Sequence, residues 1–246
     1  MSKNRAAWIL SPAKAFCIGD APSYEPKAGE VLIKAAAVAV NPIDFKKPVN
    51  GLWRMHSHSP KTGNYANSAF QLYSLASERF TAAIPDSVSF ESSVVLPLSI
   101  STAAAGLYLP EFLNLPLPST EPRGSSNVLL VWGGASSVGS TAIQLASASG
   151  LTVVATASST NHEYVRSLGA SVAFDYRSPT LIADLLRQLK GTKLVGIYDA
   201  IGEEQSFTPL KEIVSVLPCA SQTDGFRPSF GKICPLFRIN KFGKTN

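Results

Sequence analysis

The sequence predicts an α/β protein, a doubly wound parallel sheet preceded by a smaller β-rich region. Three observations carry this. From Asn127 onward, apolar runs of strand length alternate with segments of helical period. The first run, NVLLVW over Asn127 to Trp132, is continuously apolar, as a strand buried on both faces must be. A Gly-Ser turn follows it directly and leads into an amphipathic stretch.

The chain has 246 residues, of which 45% are hydrophobic and 16% charged, enough to build a core and too apolar for wholesale disorder. No apolar stretch stands out as long enough to cross a bilayer, and Met1 to Leu10 lacks the basic, apolar and small-residue order of a signal peptide. A soluble, cytoplasmic protein with no membrane partner is expected. The net charge of +5 is unevenly placed: Cys219 to Asn246 holds five basic residues against Asp224, leaving 17 basic and 16 acidic residues in the rest. A basic tail on a neutral body argues against a nucleic-acid partner. Cys17, Cys219 and Cys234 are odd in number and widely spaced, which indicates neither a disulfide framework nor a structural zinc lobe.

The β-rich region opens with short apolar runs at Ala6 to Leu10, Glu30 to Val40 and Phe70 to Ile84, bounded by Pro and Gly. Lys47 to Ser68 has no period and predicts an irregular loop. Ser89 to Tyr108 reads as helix, with Ser89 as N-cap and Glu91 in the first turn. Leu113 to Ser126, rich in Pro and Ser, is a connection.

In the alternating part, Ser136 to Ser149 forms a helix ended by Gly150, and Leu151 to Ala157 the second strand. Asn161 to Leu168 is a short helix closed by Gly169, and Ser171 to Tyr176 the third strand. Leu181, Ile182, Leu185, Leu186 and Leu189 make an apolar stripe behind Pro179, and Leu194 to Ala200 is the fourth strand. After Pro218 no period continues.

The turn after the first strand reads Gly133-Gly134-Ala135-Ser136-Ser137-Val138-Gly139. Aligned on Gly134 it is G-x-S-x-x-G, a Rossmann dinucleotide fingerprint with Ser136 in the second glycine position. Gly134 is expected to make the tight turn and Gly139 to let helix and strand approach. The amides of Ser136 to Gly139 should receive a pyrophosphate at the helix N-terminus, with the Ser136 and Ser137 hydroxyls as further donors. The second strand ends without the acid that would hold a ribose 2′-hydroxyl. It is followed by Ser158-Ser159-Thr160-Asn161, whose hydroxyls and amide suit a 2′-phosphate and favour NADPH. The alternative is that Ser159 to Asn161 only cap the next helix.

Asn41-Pro42-Ile43-Asp44-Phe45-Lys46, then LPLSISTA from Leu96, then VWGGASSVGSTAIQLA, then LGASVAFDY, in that order, resemble the medium-chain dehydrogenase/reductase superfamily. The likeness is greatest to its zinc-independent branch, the fungal trans-acting enoyl reductases and quinone-oxidoreductase-like enzymes. It implies a GroES-like substrate domain over residues 1–110, a Rossmann domain over 111–218 and NADPH between them, with 219–246 as an irregular basic tail. It further implies that Ser136, Ser137, Val138 and Gly139 hold the pyrophosphate and that Ser158, Ser159, Thr160 and Asn161 take the 2′-phosphate. Tyr176 would lie on the adenosine side, and Ile201 and Gly202 would approach the nicotinamide.

Lys46 and Thr102 fall at family positions near the reacting carbonyl, where a cation and a hydroxyl stabilise an enolate. Against these roles, Lys46 is one of two adjacent loop lysines and Thr102 can bond its own helix backbone. The resemblance implies a small-molecule substrate and a polyketide synthase partner in fungal secondary metabolism. The zinc-using branch carries a cysteine near Asn41 and a Gly-His-Glu farther on. Neither is present, and the His56/His58 pair has no third ligand nearby, so no metal is expected.

Two family segments are absent. Lys47 to Ser68 replaces the Gly-rich strands that complete the substrate barrel, and the Rossmann half lacks its further strands after Pro218. An altered reading frame, a retained intron or a truncated gene would produce this. An active enoyl reductase, a quinone oxidoreductase and a silent remnant that at most binds nucleotide are therefore the three readings.

Overall fold

The computed structural model describes residues 3–8, 15–41, 44 and 65–217. Lys46, Trp53, His56, His58, Cys219, Cys234 and the basic tail lie outside the described residues. The chain divides into two compact units, Met1–Val95 and Leu96–Asn246.

In the first unit, β1 (Arg5–Trp8) pairs antiparallel with β2 (Cys17–Asp20), and β3 (Glu30–Lys34) with β4 (Tyr73–Ser77). The strand expected over residues 30–40 stops at Lys34 because its partner begins at Tyr73, and the register runs out there. Among the described residues of this unit the buried apolar side chains are Ala6, Ala66 and Leu75, and polar bonding supplements them. The Asn4 amide, 2% exposed, donates to the Pro22 and Tyr73 carbonyls and to Gln71 Oε1, and Gln71 Nε2 donates to the carbonyls of Tyr65, Ala66 and Ser68. Helix α1 (Phe90–Ser93) is capped by Ser89, whose hydroxyl accepts from the Ser92 amide.

The second unit begins with α2 (Leu96–Tyr108), ahead of the domain boundary expected after residue 110. The reason is packing: Ser99, Ala103, Gly106 and Leu107 of α2 are buried within this unit, and the Thr141 hydroxyl meets Ser99 Oγ at 3.1 Å. Contrary to the sequence expectation, Phe90–Tyr108 is a 19-residue helical stretch long and apolar enough to cross a membrane by length and composition. Its buried residues make its C-terminal part a core helix of this unit.

The sheet consists of β5 (Asn127–Trp132), β6 (Thr152–Ala157), β7 (Ala170–Asp175) and β8 (Lys193–Asp199), all parallel in the order β7-β6-β5-β8. Strand β5 is apolar throughout because both its faces are covered. Leu129 and Val131 pack with Ala103, Leu107, Ala142 and Ile143, the last two from α3 (Ser137–Ala148). Val128, Leu130 and Trp132 face Leu181, Leu185 and Leu189 of α5 (Leu181–Leu189) and Leu210 and Ile213 of α6 (Glu204–Val216). Each such buried aliphatic side chain contributes about 1.5–3 kcal/mol. A short α4 (His162–Ser167) joins β6 to β7.

The order places β6 and β8 on opposite sides of β5, so the chain reverses direction of build at β5. The crevice at the carboxyl ends of the strands on either side of such a switch is where open α/β sheets bind ligands.

Candidate functional site

Three chain segments meet at the carboxyl ends of β5, β6 and β8. The Gly133 amide donates to Thr156 Oγ1 at 3.0 Å and the Gly134 amide to the Thr156 carbonyl at 2.8 Å, tying the glycine turn to the end of β6. The left-handed residue of the turn is Gly133, with φ of 75°. Gly139 serves close approach, since a Cβ there would lie 2.2 Å from the Gly133 carbonyl oxygen.

The serines of the turn do different work from each other. Ser136 is the N-cap of α3: its Oγ accepts from the Gly139 amide at 3.1 Å and donates to the Gly133 carbonyl at 2.8 Å. The Ser136 amide donates to the Gly133 carbonyl. The expectation that all four amides of Ser136 to Gly139 face a ligand is corrected accordingly, because two are consumed inside the turn. The amides of Ala135, Ser137 and Val138 have no acceptor among the described residues, and Ser137 is exposed. These donors sit at the positive end of a 12-residue helix with no acidic side chain in its first turn. Such a set receives an anionic oxygen group.

At the end of β6, Ser158 Oγ and Thr160 Oγ1 are 3.1 Å apart and Asn161 Nδ2 donates to Ser158 Oγ at 2.9 Å. None of these side chains caps the following helices, so capping does not explain the cluster. The Ser159 amide donates to Asp175 Oδ2 at 3.1 Å, and Asp175 Oδ1 accepts from the Arg177 amide at 2.9 Å and from Arg177 Nε at 3.3 Å. The Arg177 amide first, with the Ser159 amide and the Arg177 guanidinium, holds the Asp175 carboxyl below the ordinary carboxylate range. Arg177 also stacks on Tyr176, its guanidinium carbon 5.3 Å from the ring centre. Asp175 and Arg177 were not singled out from sequence. Their signal was the Asp-Tyr-Arg run ending β7.

Asp199, the last residue of β8, is 2% exposed. Its Oδ1 accepts from the amides of Ile201 and Gly202 at 3.0 and 3.1 Å, and its Oδ2 from Ser206 Oγ at 2.6 Å. This carboxylate fixes the Ile201-Gly202 turn, which puts the Ile201 side chain on Gly133. It too was missed in the sequence.

Thr102 lies on α2, half-buried. Its carbonyl accepts from the buried Tyr198 hydroxyl at 3.3 Å. Ser99 and Ser101 bond back to their own helix, whereas the Thr102 hydroxyl has no partner among the described residues. The back-bonded reading of Thr102 therefore does not apply. Among the described residues there is no cluster of three metal-ligating side chains.

A family model described as zinc-binding dehydrogenase matches residues 137–216, within the second unit. The trans-enoyl reductase himH of Aspergillus japonicus is 38% identical over 244 residues, covering 86% of this chain and 70% of its own. Among solved structures, the CurK enoyl reductase superposes with a TM-score of 0.64 at 18% identity, covering 84% of this chain and 71% of that one. The mycobacterial Rv1454c complexed with NADPH has a TM-score of 0.58 at 24% identity, covering 81% and 67%. At those identities the two structures speak for the fold alone, a Rossmann-type parallel sheet preceded by an incomplete GroES-like β domain. The chain belongs to the medium-chain dehydrogenase/reductase superfamily, among the fungal trans-enoyl reductases and dehydrogenases, and is by that membership an oxidoreductase. It is shorter than these relatives.

Proposed function

We propose that this chain is an NADPH-dependent, zinc-independent enoyl reductase that delivers hydride to an activated double bond. The observation that carries the reading is the set of free amides at Ala135, Ser137 and Val138, on a turn whose Gly133 and Gly134 amides bond Thr156 near the end of β6, the strand that the Ser158 to Asn161 cluster follows. The amides suit the pyrophosphate and the cluster the 2′-phosphate. Tyr176 borders the adenosine and Ile201 and Gly202 the nicotinamide. A bound nicotinamide cofactor supplies the hydride. The unpartnered Thr102 hydroxyl offers a donor, and Lys46 a cation, to the carbonyl oxygen on which negative charge develops as the β-carbon is reduced. The likeness to himH, named a trans-enoyl reductase, supports an enoyl substrate. A polyketide synthase partner and a cytoplasmic place in secondary metabolism belong to the same proposal.

The test is oxidation of NADPH by the chain with an α,β-unsaturated acyl thioester and with a quinone, in the presence of a chelator. Consumption of NADPH with the thioester is expected. Turnover of the quinone alone would make it a quinone oxidoreductase. Binding of NADPH without turnover of either substrate would make it the silent remnant.

A further inference from the structure

The Arg177 side chain has no task in the core. Arg177 is 59% exposed at its side chain, packs on no core residue, and uses only its amide and Nε on Asp175. Its two terminal nitrogens meet no acceptor among the described residues. A long, mobile side chain held in this way loses rotamer freedom without a matching gain in stability, because exposed ion pairs contribute little.

Two contacts nevertheless fix the guanidinium, and a third fixes the carboxylate that anchors it. The carboxylate takes Nε, the Tyr176 ring lies under the plane, and the same carboxylate binds the Ser159 amide through its other oxygen. One carboxylate thus holds Arg177 against the turn that carries the Ser158, Thr160 and Asn161 side chains. A guanidinium engaged through Nε keeps its terminal N–H groups in a planar fork, the geometry that pairs with two oxygens of a phosphate. The Asp175 charge is answered by Arg177 itself, so the cluster presents neutral hydroxyls, an amide and the open side of a cation.

Resting on the NADPH reading above, we infer that Arg177 is the specificity-determining residue for the cofactor's 2′-phosphate and that Asp175 is its positioning residue. Asp175 then acts against its own charge: as a bare anion it would repel the phosphate, but as the anchor of Arg177 and Ser159 it strengthens binding.

This sign decides the test. Affinities of the full chain for NADPH and for NADH are measured by quenching of protein fluorescence, for the unaltered chain, Arg177→Ala, Arg177→Lys and Asp175→Asn. Arg177→Ala is expected to weaken NADPH about tenfold to a hundredfold, the value of a charged hydrogen-bonded contact, and to leave NADH within about threefold. Arg177→Lys keeps the charge but not the fork and should recover part of the loss. Asp175→Asn should also weaken NADPH while sparing NADH, although it removes a negative charge. A purely structural role would lower both cofactors together, and that result overturns the inference. So does tighter NADPH binding by Asp175→Asn, or an unaltered NADPH preference in Arg177→Ala, either of which leaves the NADPH reading itself intact. Failure of the unaltered chain to bind either cofactor overturns the NADPH reading and this inference with it.

Discussion

Ile201 lies directly over Gly133: a Cβ on that glycine would fall 2.6 Å from both Ile201 Cγ1 and Cδ1. The turn after β8 is thereby seated on the turn after β5, across the point where the sheet reverses its build. Gly133→Ala should cost about 1–3 kcal/mol from its left-handed backbone and displace Ile201 as well. The combined Gly133→Ala, Ile201→Ala chain should lose less than the sum of the two single changes, because the second change removes the clash created by the first. Urea unfolding of the four chains measures the coupling.

Asp199 is the keystone of the second turn. Replacing it by Ala strands the Ile201 and Gly202 amides and removes one of two acceptors of the Ser206 hydroxyl, which keeps the Glu203 carbonyl, at a cost of about 3 kcal/mol. Asp199→Asn keeps one acceptor oxygen and should lose less. Denaturant midpoints of the two variants check the ranking.

Burial of the Tyr108 hydroxyl, partly offset by its bond to Ser149, raises its pKa. The folded state therefore holds the phenolic proton more tightly than the unfolded chain. The stability this contributes is complete below the ordinary tyrosine value of about 10, and it is lost as pH rises from there through the folded value. Tyr108→Phe should cost about 1 kcal/mol at neutral pH, through the lost bonds to Leu145 and Ser149, and should flatten the alkaline decline. Thermal unfolding at several alkaline pH values measures this.

The second unit was largely legible in the sequence because its strands are buried on both faces. Val128 to Trp132 can be nothing but apolar, and Gly150 and Gly169 mark the helix ends. Helix α6 was hidden by Pro209 in its interior, where the missing amide is tolerated in the fold but reads as a breaker. Strand β2, Cys-Ile-Gly-Asp, is mostly exposed and carries no alternation. At the site, the loop could be found from its glycines. Which amides stay free could not, since that depends on Ser136 turning inward as a cap. Asp175 and Asp199 act through contacts with residues 16 and 7 positions away, and no local pattern announces them.

If Thr102 and Lys46 polarise the substrate, Thr102→Val and Lys46→Met should each lower turnover about a hundredfold while leaving NADPH affinity unchanged. Activity should survive exhaustive chelation. A fall in cofactor affinity parallel to the fall in turnover would move these residues out of the substrate site, and loss of activity on chelation would contradict a zinc-independent reaction.

On the proposed function the second unit holds an NADPH site built from the Ala135, Ser137 and Val138 amides and the Ser158 to Asn161 cluster at the end of β6. Calorimetric titration of the chain with NADPH and then NADH tests it most directly. Saturable binding of one equivalent of NADPH, about tenfold or more tighter than NADH, is the expected result. Equal affinities, a preference for NADH, or no binding of either cofactor would contradict it.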